Sequence, residues 1–341
     1  MKKILAAFVA ASLIAFVSIP IVAQGAKASS LLAVQGFYGL PNLGGFGSTD
    51  FAPVEYGVDE GGAGERDLGS SWGSAAAMVS LSRKYVVPAL AGDGALTEGN
   101  NLAIEVVGSL TPVSLNAELK ATLTPIAFLK FAAGASAGTG WSIGFVGLGL
   151  NPADSALPVV EKPLGGIVWD LWASGTFQFD MAAIVPGEWN HVVIVASPEL
   201  RYKAFTGATT GEAWVWEADS GMNFNGLKLE GSYFLGYQPP LALNTVGILV
   251  EPDAWLGEVR GYAPMTGAVG ANWGSDFTEL GFGPVFFFAL GERSSLTVVL
   301  QFGRAIKWTD ATTKNRYFGD RAYEDGYTYF NRLAFSYGLS L

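Results

Sequence analysis

The sequence contains no cysteine and a single histidine, His191. The first absence excludes disulfides, thiolate nucleophiles, Cys-ligated metal sites and a lipid-modified cysteine at a processed amino terminus. Charge is scarce too: 15% of residues are charged, and the formal net charge is −10. No basic cluster reverses that sign, so nucleic acid has no electrostatic footing here. Beyond the amino terminus, long apolar runs are also missing. Residues 131–150 are uncharged for long enough to span a bilayer as a helix, but Gly, Ser and Thr interrupt them throughout.

What is present points elsewhere. The chain has 45 Gly, and aromatics make up 13% of it. Low charge with abundant Gly and aromatics fits strands that face lipid on one side and a lumen or tight strand packing on the other. The amino terminus carries an export pattern. Met1-Lys2-Lys3 is a short basic start, and Ile4 to Ala23 is apolar apart from Ser12, Ser18 and Pro20. Ala26-Lys27-Ala28 is a small-x-small cleavage site, with Ala23-Gln24-Gly25 as the alternative. An uncleaved anchor is the alternative fate. Cleavage after Ala28 removes Lys2, Lys3 and Lys27, taking the charge from −10 to about −13. About 313 residues then remain, an ordinary length for one barrel.

Two stretches alternate clearly. Leu115, Ala117, Leu119, Ala121 and Leu123 are interleaved with Ser114, Asn116, Glu118, Lys120 and Thr122. A helical period would scatter both sets around the axis, so this is a strand with one apolar and one polar face. Leu-Thr-Pro brackets it at 110–112 and 123–125, and Pro ends ladder pairing and starts turns. A charge facing acyl chains costs up to ~2–4 kcal/mol. Glu118 and Lys120 are therefore expected to face the lumen. A tight turn at Thr124-Pro125 would bring Lys130 beside them. The same reasoning turns most in-strand charges inward, Arg201, Lys228, Glu230, Asp253 and Arg304 among them. The interior is then either self-neutralising and plugged or an aqueous pore.

The second stretch closes the chain. Leu333, Phe335, Tyr337, Leu339 and Leu341 share one parity; Arg332, Ala334, Ser336, Gly338 and Ser340 share the other. It resembles the closing strand of bacterial outer-membrane β-barrels, with Leu341 where that family usually ends in an aromatic. The resemblance implies an outer-membrane address. It also implies that these five residues face lipid and serve as the signal read by the barrel-assembly machinery.

Candidate strands are Ala75–Val87, Leu102–Leu110, Leu115–Leu123, Ile126–Ala135, Gly166–Ile184, Trp189–Ala204, Glu212–Glu217, Asn225–Tyr237, Thr245–Tyr262, Phe277–Leu290, Ser295–Lys307 and Tyr327–Leu341. The expected fold is all-β: a closed antiparallel transmembrane barrel of about 12 strands, within 10–14. Trp141–Leu150 is a further candidate, and Glu212–Glu217 is short. Residues 1–28 read as signal peptide, 29–72 as a Gly-rich acidic periplasmic lead-in or plug, and 73–341 as barrel. Residues 310–326 precede the final inward-running strand and are expected outside. Trp169, Trp172, Trp189, Trp214, Trp216, Trp255, Trp273 and Trp308 read as interfacial girdles, or alternatively as a carbohydrate-stacking groove.

A narrower likeness lies in four phrases: Leu123-Thr-Pro-Ile-Ala-Phe-Leu-Lys-Phe131, Gly138-Thr-Gly-Trp141, Pro186-Gly-Glu-Trp-Asn-His-Val192 and Gly236-Tyr-Gln-Pro-Pro-Leu-Ala-Leu-Asn-Thr-Val-Gly247. They resemble uncharacterised outer-membrane proteins of spirochaetes. That resemblance implies location and barrel fold and supplies no activity or site residues.

No catalytic, cofactor or metal motif is present. A Ser–His site would have to use His191. Ser197 and Glu199, on its parity, lie roughly 20 and 27 Å away along one strand at ~3.3 Å per residue. The leading expectation is a passive porin-like channel for small solutes, set among outer-membrane lipids. The alternatives are a surface structural or adhesive barrel acting through its outer loops, and a transporter of hydrophobic solutes with residues 29–72 as hatch. Deleting the last ten residues is expected to abolish membrane insertion, measured by the vesicle-bound fraction of the refolded chain. Normal insertion of the truncated chain would remove the assembly role of that strand.

Overall fold

The structure, a computed structural model, describes residues 27–39, 74–143, 147–151, 160–217, 223–262, 275–308 and 323–340. Its elements in chain order are β1 (Lys27–Gly39), β2 (Ser74–Pro88), β3 (Asn101–Leu110), β4 (Ser114–Ile126), β5 (Leu129–Gly140), β6 (Gly147–Asn151), β7 (Val160–Glu161) and β8 (Val168–Asp180). There follow β9 (Val192–Phe205), β10 (Ala213–Glu217), β11 (Gly226–Tyr237), β12 (Leu243–Trp255), β13 (Thr278–Ala289), β14 (Ser294–Trp308) and β15 (Tyr323–Ser340). Two short 3-10 helices, Met181–Ala183 and Gly257–Gly261, sit in connections.

Twelve strands close into a barrel in the order β1-β15-β14-β13-β12-β11-β9-β8-β5-β4-β3-β2. Every pairing is antiparallel, including the closing one, in which Leu32 opposes Leu339 and Val34 opposes Tyr337. Strands of 10–18 residues meet or exceed the ~9–11 a tilted transmembrane strand needs. No helix among the described residues is long and apolar enough to cross a membrane.

The strand number agrees with the sequence pattern, but the membership does not. β1 is a full member of the wall, paired with β2 from Lys27↔Val86 to Gly39↔Ser74. Residues 29–39 are therefore barrel, not lead-in, plug or hatch. Leu31-Leu32-Ala33-Val34 presents apolar residues on both parities, which hides the period of two. Residues 40–73 lie outside the described residues; β1 ends and β2 begins at the rim opposite Lys27. Conversely, Ala213–Glu217 is too short to span and leaves the wall, pairing with β6. Trp141–Leu150 supplies β6 to the same small sheet rather than another barrel strand.

Connections divide by rim. Lys27, Ser340 and residues 89–100, 127–128, 181–191, 238–242 and 290–293 share one rim, the terminus side. Gly39, Ser74, residues 111–113, Gly140, Val168, Phe205, Gly226, Trp255, Thr278, Trp308 and Tyr323 share the other, the long-loop side. With the exception of residues 111–113, the longer connections lie at the rim opposite Lys27 and Ser340, the pattern of single-chain bacterial barrels. Tyr323–Gly326 belong to β15 rather than to the preceding loop.

The wall alternates. Leu119, Phe131, Leu171, Leu235 and Ile248 are each 51–58% exposed on the outward parity. An exposed apolar belt of this extent is what a lipid-facing surface requires. The Thr124-Pro125 turn is not observed: the chain turns at Ala127-Phe128, and Thr124-Pro125 forms an irregularity in the β4–β5 ladder. Pro lacks the N–H a regular ladder needs, so the strand bulges and continues.

Closure makes β1 indispensable. Deleting residues 27–39 is expected to abolish the folded band that runs faster unheated than boiled. A lead-in or plug would leave that band intact.

Candidate functional site

Charge gathers in the barrel interior near the long-loop rim, in rows that cross neighbouring strands. One row runs Glu118, Ser136, Asp170, Lys203. The next runs Lys84, Glu105, Lys120, Gly134, Trp172, Arg201, Lys228, Trp255. A third runs Ser174, Glu199, Glu230, Asp253, Glu279. Partners in an antiparallel row share a face, so each row is one strip of the inner wall. The cations Lys120, Arg201 and Lys228 thus lie in a strip flanked by carboxylates on both sides.

Opposite charges face each other at Lys84–Glu105–Lys120 and Asp170–Lys203, but around Arg201 like charges meet within a row: Arg201 opposes Lys228, and Glu199 opposes Glu230. Opposite charges meet on the diagonals, which long side chains reach. Arg201 is the hub. Its guanidinium bonds Asp170 and Glu199, and its Nε donates to Glu230 Oε2 at 2.9 Å. Lys228 bonds Asp253 Oδ2 at 2.5 Å and stands 3.6 Å from Glu230 Oε1. Ser136 donates to the second oxygen of Asp170. Gln301 on β14 donates to Glu251 Oε2 at 2.8 Å.

Trp172 floors the cation strip. Arg201 stands 5.9 Å and Lys120 Nζ 5.6 Å from its ring, within cation–π range. The indole lies close over Gly134: a Cβ there would come within 2.6 Å of the ring. Trp172 and Trp255 are therefore interior residues rather than girdle members, and Lys228 Nζ lies 4.7 Å from the Trp255 ring. Trp169, stacked on Tyr202 at 5.6 Å, lies on the outward parity as a girdle residue does.

The long-loop mouth holds a second feature. β6, β7 and β10 form a three-stranded sheet. Its Leu148 and Trp214 bury against Val168 and Phe205 at the long-loop ends of β8 and β9. Glu217, the last residue of β10, accepts hydrogen bonds from Ser114 and Asn116 on the inner face of β4. Its φ of 56° is rare for a residue with a Cβ, and these bonds help hold it there. Lys203 Nζ donates to Asn223 at 2.8 Å and lies 5.1 Å from the Trp214 ring.

Of the residues singled out in the sequence, Glu118 and Lys120 lie in the interior rows. Lys130 shares their face but not their neighbourhood. Lys120 opposes Gly134, and Lys130 lies four residues nearer the terminus-side rim, about 13 Å along β5. The turn at Ala127-Phe128 shifts the hairpin register and causes this separation. Phe335 and Tyr337 are exposed on the outer wall at 45% and 41%, and Leu333 is half-buried. Leu341 lies outside the described residues, as does the side chain of Leu339. Arg304 departs from the inward expectation: it pairs with Leu280 on the outward parity, its guanidinium 5.0 Å from the Phe277 ring.

His191 pairs with neither Ser197 nor Glu199. Its Nδ1 lies 2.6 Å from Asp180 Oδ2, across the β8–β9 connection at the terminus-side rim. Ser197 is bonded instead to Thr176. The roles of Asp170, Trp172 and Glu217 were missed in the sequence. Val168-Trp-Asp-Leu-Trp172 puts large apolar residues on both parities, so the inward set does not stand out.

No protein-family model matches the chain, and no curated protein matches it. Among solved structures it resembles the outer membrane channel DcaP of Acinetobacter baumannii, at 11% identity and a TM-score of 0.34, over 93% of this chain and 98% of that one. At that score the likeness has no bearing on function. The barrel assignment rests on this chain's own strand pairing.

Arg201 neutralises three carboxylates at once. Arg201→Leu would leave them clustered and is expected to destabilise the barrel, by less than the about 3–5 kcal/mol that loss of one partner costs a fully buried pair, because this cluster is only partly buried. Lys120→Leu, which breaks no ion pair among the described residues, is expected to cost much less. Urea midpoints of the two variants in lipid vesicles read the difference.

Proposed function

We propose that the chain is a passive, porin-like channel of the bacterial outer membrane, and that its interior favours cations. The observation that carries this reading is the three-row belt. It holds seven carboxylates: Glu105, Glu118, Asp170, Glu199, Glu230, Asp253 and Glu279. Against them stand five cations: Lys84, Lys120, Arg201, Lys203 and Lys228. A net excess of carboxylates along an aqueous path raises the local concentration of cations and lowers that of anions.

Further support comes from the wall and the termini. The outward belt is apolar, and the longer connections leave the barrel at the rim opposite Lys27 and Ser340, as in outer-membrane barrels. The four phrases that resemble those of spirochaetal outer-membrane proteins agree with that address. The export pattern fits as well. Cleavage after Gly25 leaves β1 whole, whereas cleavage after Ala28 removes Lys27 and Ala28, which pair with Val86 and Tyr85.

One observation favours a second reading, a surface structural or adhesive barrel without an open pore. The mouth sheet buries Leu148, Phe205 and Trp214 at 0–1% exposure, so part of the long-loop mouth is packed rather than aqueous.

Planar-bilayer recordings separate the two. The channel reading expects conductance and a reversal potential displaced toward the cation limit under a salt gradient. Lys120→Glu replaces an interior cation that makes no ion pair among the described residues and is expected to displace it further, with little effect on folding. A folded, inserted wild type without conductance would favour the closed barrel. An open channel whose reversal potential ignores Lys120→Glu would put Lys120 outside the conduction path.

A further inference from the structure

The charged residues of the wall face inward with two departures among the described side chains, Arg304 and Arg83. Arg83 is the better defined. It opposes Ser30 on β1 and Val106 on β3, and Val106 opposes Leu119, which is 52% exposed. Arg83 therefore stands on the lipid-facing parity. Among the described residues, no carboxylate lies within ion-pairing distance of it.

Its surroundings orient the cation. Nε donates to Tyr85 Oη at 2.9 Å, and Nη1 donates to Ser30 Oγ at 3.3 Å. Tyr85 lies two residues nearer the terminus-side rim, so the guanidinium is drawn toward that rim. Arg83 is five residues from the end of β2 at Pro88. That is about 16 Å along the strand and about 13 Å in height at a tilt of ~40°. A strand of 15 residues overhangs an apolar band ~25 Å tall by about 6 Å at each end. The Arg83 Cα then lies about 7 Å inside the band, a depth that its long stem spans in reaching toward the headgroups. Arg has five N–H donors; two are used here, which leaves three without a hydrogen-bond partner among the described residues.

We infer that Arg83, Tyr85 and Ser30 form a binding site for the phosphate of an anionic phospholipid in the leaflet at the terminus-side rim. The guanidinium fork matches two phosphate oxygens, and the Tyr85 hydroxyl and Ser30 hydroxyl hold the fork in place. The inference rests on the membrane placement proposed above and not on an open pore.

Native mass spectrometry of the folded wild type with phosphatidylglycerol, diacylglycerol and lipid A tests it. The wild type is expected to retain phosphatidylglycerol over diacylglycerol, and Arg83→Gln to lose that retention about five-fold, the effect of one basic residue at an anionic surface. Arg83→Lys keeps the charge without the fork and is expected to fall between; it carries the comparison if Arg83→Gln does not fold. Equal retention by wild type and variant, equal retention of the two glycerolipids, or a preference for lipid A would overturn the site. Flotation of wild-type protein with vesicles is read separately: failure to float removes the membrane placement itself.

Discussion

On the membrane placement proposed above, the structure depends on one constraint: inside an apolar slab, every backbone N–H and C=O must be bonded within the sheet. A sheet meets that demand only by closing on itself. Here closure is the pairing of β1 with β15, the first and last strands of the barrel. Without it two edges of unpaired backbone would face acyl chains. The same closure fixes which parity of each strand faces lipid and which faces the interior.

The interior rows follow from that assignment. Once one parity is committed to lipid, most charged residues of neighbouring strands are forced onto the same inner strips. Direct opposition of Arg201 to Lys228 and of Glu199 to Glu230 would repel. The diagonal bonds from Arg201 to Asp170 and Glu230, and from Lys228 to Asp253, offset this. Trp172 adds an aromatic face beneath the cations, and Gly134 leaves it the room. The mouth sheet extends the same logic. It buries apolar side chains against Phe205 while Glu217 bonds polar groups of the inner wall. On the channel reading, selectivity is a property of the inner strips and of what narrows them at the long-loop rim.

The fold was legible wherever the period of two was clean. Leu115 to Leu123 and the closing strand alternate without interruption, and both are barrel strands. β1 was not legible because Leu31-Leu32 spoils the alternation and an acidic, Gly-rich stretch follows it. Ala213–Glu217 looked like a strand and is one, but its length keeps it out of the wall. The site was legible in part. The inward parity of Glu118 and Lys120 needs no more than local alternation. The diagonal network around Arg201 depends on the register between β8, β9 and β11, which no single strand encodes. Lys130 was misplaced for the same reason, since Thr124-Pro125 bulges and the turn falls later.

The most direct measurement is a cross-link across the closing seam. The chain has no native cysteine, so Val34→Cys with Tyr337→Cys introduces the only two thiols. These residues are direct partners on the outer wall, and opposed antiparallel positions bring Cβ atoms within about 4.5–5.5 Å. Closure by this seam predicts that mild oxidation of the folded protein joins the pair within one chain, and that Val34→Cys with Phe335→Cys, out of register by two, joins less. Absence of the Val34–Tyr337 link in a folded, inserted barrel would contradict closure by β1 and β15.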